Sequence, residues 1–339
     1  MIGYYIHHQG SGHLHRALAI QRQSELDITG LSTLPRPSDW IGDWQQLADD
    51  AVPMASTESA AGGWLHYVPQ AHDGLRRRMG ALSTWITRHH PAAMVVDVSV
   101  EVALLARLHG VPVITLAQPG VRDDRPHTLG YGISDAIIGP WPRAADQLWQ
   151  VSDPKLQARL IPVGAISRLG PAASSDAPGI AEAKKVVVLN GTGGRSMGAL
   201  VKRAAEGQPD WSWIHLDRAS GTWTDDPWPV LRSASVVVSH CGQNAIADIA
   251  VARRPAILIP QPRHFDEQEA MAAQLKRLGR RIPALVLDSW PEPEAWGPLL
   301  CRAAQLDPSR WSLWNDGGGA QRAADVLAGV TKSLTELSA

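Results

Sequence analysis

The chain predicts an α/β fold of two facing, Rossmann-like, doubly wound domains with a cleft between them. Three observations predict it. Short β-branched runs alternate with longer segments of helical apolar spacing, the mark of a parallel sheet with crossover helices. The alternation breaks at a stretch rich in Gly, Ala, Ser and Pro, and then restarts. Each half opens with a strand, a Gly-rich turn and a helix, and such folds bind ligands beyond the carboxyl ends of their strands.

In the first half the strand candidates are 2–7, 26–34, 94–97, 111–117 and 136–138. Residues 12–24, 73–90 and 100–109 between them carry apolar side chains at helical spacing. The second half offers strands at 185–190, 213–217, 235–239, 256–259 and 284–287, with helices at 245–252, 268–278 and 293–305. The expected organisation is an N-terminal domain over 1–165, a linker over 166–183, a C-terminal domain over 184–319 and a closing helix over 320–339 that packs back on the first domain.

Composition narrows the function classes. With 339 residues, two domains are expected, and 44 % apolar against 19 % charged residues excludes a coiled coil, a collagen and a disordered chain. The two cysteines, Cys241 and Cys301, are too few for a disulfide framework or a cysteine zinc site. Net charge is −1, and the halves divided near residue 168 carry about −1 and 0, so nucleic acid is not the expected partner. No apolar run nears the ~20 residues of a membrane span and the start carries no leader pattern, which reads as a cytoplasmic protein with at most peripheral membrane contact.

Four places carry candidate chemistry. Gly10-Ser11-Gly12-His13 follows the first strand, where glycine permits a tight turn and His13 enters the helix at the sheet's carboxyl edge. A plain strand-to-helix turn is the equal alternative. Asp97 ends a buried run, either at a site or as the cap of the next helix, a job Ser99 could also do. Gly191, Thr192 and Gly193 lie in a turn suited to a phosphate or carboxylate, and Asp217 ends the following strand. His240-Cys241-Gly242-Gln243-Asn244-Ala245 and Asp248 form a polar turn and helix start, with Asn244 and Asp248 on one helix face. A second polar turn, Asp266-Glu267-Gln268, follows the adjacent strand.

The segment from Ser239 to Ala272 resembles the nucleotide-sugar region of the GT-B glycosyltransferases. It is similar both to the UDP-sugar transferases of family 1 and to the lipid-I N-acetylglucosaminyltransferase type of family 28. The family 1 pattern His-Cys-Gly-Trp-Asn-Ser-x-x-Glu, then Asp-Gln, matches at His240, Cys241, Gly242, Asn244 and Asp248, then Asp266, Glu267 and Gln268. Gln243 stands where that pattern has Trp, Ala245 where it has Ser, and Asp248 where it has Glu.

The resemblance implies a GT-B fold and an inverting, metal-independent transfer of a sugar from a nucleotide-sugar, UDP-linked, to an acceptor hydroxyl. It implies His13 as general base with Asp97 orienting it. The donor residues it implies are Gly12, Gly191, Thr192, Gly193, His240, Gly242, Gln243, Asn244, Ala245, Asp248, Asp266, Glu267 and Gln268. No cofactor is expected, and the acceptor (glycan, lipid-linked or small molecule) is left open.

Two competing readings remain, one that keeps the fold and one of a different class. A GT-B epimerase or hydrolase would draw on Asp266 and Glu267, and a nicotinamide oxidoreductase on Gly191–Ser196 with Asp217. Four nearby histidines, His7, His8, His13 and His15, raise the question of metal. It is not expected, since no acidic partner sits at ligand spacing and His7 and His8 should point to opposite faces of a strand. Trp40, Ile41, Trp44, Leu47 and Ala48 would form one helical apolar stripe, facing either the core or an acceptor or membrane surface.

Overall fold

The computed structural model describes residues 1–50, 59–169, 182–190, 197–224 and 226–337, with side chains to residue 332. Gly191, Thr192 and Gly193, together with 170–181 of the linker, lie outside the described residues.

The first sheet contains β1 (Ile2–Ile6), β2 (Ile28–Ser32), β3 (Trp44–Gln46), β4 (Met94–Asp97), β5 (Val113–Leu116), β7 (Ala136–Gly139) and β9 (Leu160–Pro162). Their order across it is β3-β2-β1-β4-β5-β7-β9, every pairing parallel. The short strands β6 (Gly120–Val121) and β8 (Trp149–Gln150) pair apart from it. The second sheet contains β10 (Lys185–Leu189), β11 (Ser212–Leu216), β12 (Val236–Ser239), β13 (Ala256–Leu258) and β14 (Ala284–Val286) in the order β11-β10-β12-β13-β14. In each sheet the order reverses beside the first strand, between β1 and β4 and between β10 and β12. Parallel α/β sheets open a crevice at that point.

Apolar strands pack both faces of each sheet, as buried parallel strands require. One face of the first sheet buries Ile2, Tyr4, Ile6, Val95 and Ile114 against Ala17, Leu18 and Ile20 of the Gly12–Gln21 helix. The closing helix, Gly319–Leu337, adds Ala323, Ala324 and Leu327 to that same N-terminal cluster. The opposite face sets Tyr5, Met94, Val96 and Val113 on Leu82, Trp85 and Ile86. Another cluster joins Trp141, Trp149 and Tyr131 to Val187, Val237, Ile246 and Met271, so one apolar core runs across the domain boundary. Five of the largest fully buried side chains are tryptophans, which accounts for 14 Trp beside a single Phe. Among the described residues no helix is long and apolar enough to cross a membrane.

Three expectations need correction. The stripe at Trp40–Ala48 is not a helix: Trp44–Gln46 is an edge strand, Trp40 and Leu47 are buried, and Ile41 is 68 % exposed. Trp40 packs edge-on against Trp44 and both indoles donate to backbone carbonyls, so the pair is core rather than a docking face. His7 and His8 lie beyond β1, and their rings stack at 4.8 Å instead of pointing apart. The helix expected at 293–305 opens with a 3-10 turn and is α-helical only over Trp296–Ala304. The helices Arg125–Ile133 and Gly198–Gly207 and the short strands β3, β6, β8 and β9 extend the reading from sequence.

Candidate active site

A cavity of about 610 Å³ lies between the two domains, at the carboxyl ends of both sheets. From the N-terminal domain it is lined by the Gly10–His13 turn, Arg16, Val98 and Gln118. From the C-terminal domain it is lined by His240, Gly242, Gln243, Asn244, Ala245, Asp248, Arg263, Glu267 and Gln268.

Strand pairing brings the first constellation together. β1 and β4 are neighbours with Ile6 opposite Asp97, so the helix that follows β1 starts beside the Asp97 carboxylate. His13 Nδ1 lies 2.9 Å from Asp97 Oδ1. Asp97 does not cap the following helix, because Ser99 Oγ accepts the Val102 N–H. Between them Val98 holds φ at +65°, a conformation that β-branched residues rarely adopt and that is costly away from a functional constraint.

Arg16, one turn beyond His13, was not singled out from sequence, and it is the strongest partner of Asp97. Its Nε donates to Oδ2 and its Nη2 to Oδ1, each at 2.9 Å, with both side chains buried. Burial alone would raise the Asp97 pKa. The Arg16 guanidinium and His13 outweigh it and hold the carboxyl at about 2. The carboxylate is therefore an acceptor only, which puts the proton of His13 on Nδ1 and leaves Nε2 as the lone pair. Arg16 Nη1 continues across the cleft to Gln243 Oε1 at 3.3 Å, and Gln243 Nε2 donates to Pro140 O at 3.2 Å.

The other candidate bases are occupied or suppressed. Glu101 accepts the His66 and Tyr67 N–H groups and the Ser99 hydroxyl. Burial pushes His15 down to about 4, helped by Arg168, and His7 down to about 3, helped by His13 and His8.

On the opposite wall the Gln243–Ala252 helix begins just after β12, and its first backbone N–H groups and positive end face the cavity. His240 Nδ1 donates to Ile259 O at 2.9 Å, while Nε2 is buried without a partner among the described residues. Burial, with Arg263 adding to it, lowers the His240 pKa against the pull of the Ile259 carbonyl. Asn244 faces the N-terminal turn, so close that a Cβ on Gly12 would collide with its Nδ2.

Asp248 is buried, accepting from Ser167 Oγ at 2.7 Å and Arg168 Nε at 2.8 Å. That ties the Gln243–Ala252 helix to the strap leaving the first domain. Gln268 Oε1 accepts the Gln261 N–H. Glu267 pairs at 2.5 Å with Arg122, a buried arginine of the other domain. Asp266 is exposed and does not line the cavity, contrary to its expected place at the sugar. Phe265 and Asp266 both hold positive φ, so Phe265 lines the cavity and the acid beside it does not.

Among the described residues two groups bring His and Asp ligand atoms within 4.8 Å: His66, Asp124 and His127, and His8, Asp49 and Asp50. The second corrects the expectation that His8 has no acidic neighbour, though Asp50 is already paired with Arg78 at 2.9 Å. In the first, Arg122 Nη1 sits 3.2 Å from His127 Nε2, and a guanidinium there opposes a metal cation.

Residues 202–286 match the Glycosyltransferase family 28 C-terminal domain. The chain is 30 % identical over 110 residues to the UDP-N-acetylglucosamine–N-acetylmuramyl-(pentapeptide) pyrophosphoryl-undecaprenol N-acetylglucosamine transferase of Agrobacterium fabrum, covering 31 % of this chain and 28 % of that protein. It is 26 % identical over 113 residues to an uncharacterized glycosyltransferase of Methanopyrus kandleri, covering 32 % and 30 %. The aligned stretch thus spans under a third of either relative.

Solved structures align over nearly the whole chain. The glycotransferase of kitacinnamycin superposes with a TM-score of 0.68 at 18 % identity, over 97 % of this chain and 98 % of that one. MurG of Acinetobacter baumannii gives 0.64 at 15 %, over 97 % and 99 %. Os79 from O. sativa, solved with UDP, gives 0.63 at 12 %, over 97 % and 100 %. At such identities the likeness speaks for the fold. The chain has the GT-B fold and resembles glycosyltransferase families 28 and 1, the match to the family 28 C-terminal domain lying over residues 202–286.

Proposed function

We propose that this chain is an inverting glycosyltransferase that moves a sugar from a nucleotide-sugar, UDP-linked, to an acceptor hydroxyl without a metal. The observation that carries the reading is one cavity with the His13–Asp97 pair on one wall and the His240–Asn244 helix start on the other. His13 Nε2 takes the proton of the acceptor hydroxyl as that oxygen attacks the anomeric carbon. Asp97 holds the ring and stabilises the imidazolium. The C–O bond to the diphosphate breaks, and the departing charge falls on the Gln243–Ala252 helix start, Asn244 and His240.

A single displacement inverts the anomeric configuration. A double displacement needs a free carboxylate at the sugar, and Glu267 is held by Arg122 while Asp266 is outside the cavity. The same two facts weigh against an epimerase or hydrolase. A nicotinamide oxidoreductase finds less support, since the Asp217 carboxylate already accepts from Asn190, the Ala219 N–H and Ser220. The name of the Agrobacterium relative describes an undecaprenol-linked acceptor, which supports including lipid-linked acceptors, with at most peripheral membrane contact, beside glycans and small molecules.

The test is a thermal-shift screen with UDP-, dTDP- and GDP-sugars, followed by product analysis on hydroxyl acceptors. A raised midpoint with one nucleotide class and a product of inverted configuration are the expected results. A folded chain whose midpoint no nucleotide-sugar moves overturns the reading.

A further inference from the structure

Arg16 and Gln243 are left unexplained by a two-residue base. Arg16 is 3 % exposed, and its guanidinium spans both oxygens of Asp97. The outer nitrogen, Nη1, leaves that clamp and meets Gln243 Oε1 at 3.3 Å, on the first turn of the helix that would hold the donor phosphates. Gln243 spends its other polar atom on Pro140 O of the first domain. Its side-chain amide is therefore committed to the N-terminal domain instead of a donor. Gln243 is also the position where the chain departs from the Trp of the family 1 pattern.

We propose that Arg16 and Gln243 are positioning residues that set the His13–Asp97 pair across the closed cleft. Arg16 fixes both carboxylate oxygens and cancels the Asp97 charge, and Gln243 holds Arg16 there only while the two domains are together. This rests on the transferase reading for its consequence in turnover, but not for its geometry.

The electrostatic consequence has a definite sign. His13 faces the Asp97 carboxylate on β4, Arg16 on its own helix, the His7 ring at 5.8 Å beyond β1, and Gln118, whose Nε2 lies 3.5 Å from Asp97 Oδ1. The only fixed charges in that set are Asp97 and Arg16. A lone carboxylate would make the imidazole more basic, and the guanidinium offsets that effect. Arg16 and the imidazolium also leave the wall facing the diphosphate with a net positive charge when the proton has moved.

The experiment reads the His13 imidazole titration by NMR in the full chain, alongside kcat and donor Kd. In Arg16→Gln the His13 titration should move to higher pH, and the acid limb of kcat should follow it. Arg16→Lys keeps the charge but loses the two-point clamp, so the titration should stay near that of the parent while kcat falls. Gln243→Ala should lower kcat with donor Kd nearly unchanged, and its effect should vanish in an Arg16→Gln background.

Arg16→Gln leaves a buried carboxylate short of a partner. If it does not fold, as judged by circular dichroism, the Arg16→Lys and Gln243→Ala arms decide. An unmoved His13 titration in folded Arg16→Gln overturns the proposal. So does a Gln243→Ala effect that lies wholly in donor Kd or adds to that of Arg16→Gln. The titration needs no turnover, so a failed transferase assay and a failed positioning role give different results.

Discussion

Gly12 and Asn244 meet across the cleft, one at the first turn after β1 and the other at the first turn after β12, with no room for a Cβ between them. Gly12 does not have a positive φ, so alanine fits its backbone and the collision falls on the end of the Asn244 side chain. Gly12→Ala should push Asn244 off its place and weaken nucleotide-sugar binding by about 1.5–3 kcal/mol, the usual scale for losing a hydrogen bond to a charged group. The unliganded thermal midpoint should hardly fall, since alanine favours the helix. Calorimetry on Gly12→Ala with and without Asn244→Ala checks this: the glycine effect should disappear once the asparagine is truncated.

That contact explains what could be read from the chain and what could not. His13 and Asp97 were legible because both sit at the carboxyl ends of predicted strands, one after a glycine turn and one ending an apolar run. Arg16 was not, because its partner is 81 residues away and an arginine on a helix reads as a solvated face. Gln243 was read as a donor residue from its place in a motif, but the fold commits its amide to Arg16 and Pro140. Trp44–Gln46 is too short for periodicity to separate a strand from a helix. Asp266 was misplaced because two consecutive non-glycine residues, Phe265 and Asp266, hold positive φ, which no spacing rule anticipates.

Removing the base and removing its partner should have different signatures. His13→Ala deletes a general base worth roughly 10²–10⁴ in turnover, with donor affinity almost unchanged because the donor wall belongs to the other domain. Parent-like rates with an unaltered pH profile would move the base elsewhere.

Asp97→Asn should lose less turnover than His13→Ala and more stability. The variant leaves Arg16 buried without its counter-charge, a loss of about 3–5 kcal/mol. The pH dependence follows from the depressed pKa. Asp97 titrates at about 2 in the fold against 3.8 for the free side chain, so its contribution is complete above about pH 4 and is lost as pH falls toward 2. Thermal midpoints of the parent should therefore drop over that acid window more steeply than those of Asp97→Asn. Equal midpoints of the two proteins at pH 7 would show that the clamp contributes nothing to folding.

Chelation should leave transfer intact. In the proposed transfer the leaving-group charge is met by a helix start and side chains, and the His66–Asp124–His127 group has a guanidinium against it. Rates measured with excess chelator should match untreated rates. Loss of activity restored by magnesium or manganese would require a metal at the diphosphate.

Donor binding should take up a proton at His240. A carbonyl can only accept, so the contact with Ile259 O assigns the ring hydrogen to Nδ1 and leaves Nε2 a bare lone pair at the cavity wall. That atom repels a phosphate oxygen unless it is protonated, and burial with Arg263 has lowered the pKa of the empty site. A bound diphosphate supplies the opposite charge and raises it again. Between those two pKa values binding captures a proton, and affinity weakens as pH rises, by at most about tenfold per unit for one proton. Both phosphates of a nucleotide-sugar are diesters and do not titrate in this range, so the slope belongs to the protein. Calorimetry in two buffers of different ionisation enthalpy should show the uptake directly. His240→Gln donates without a proton and should flatten the pH dependence while keeping most of the affinity. A pH-independent Kd in the parent chain would mean that backbone N–H groups and Asn244 hold the phosphates without the imidazole.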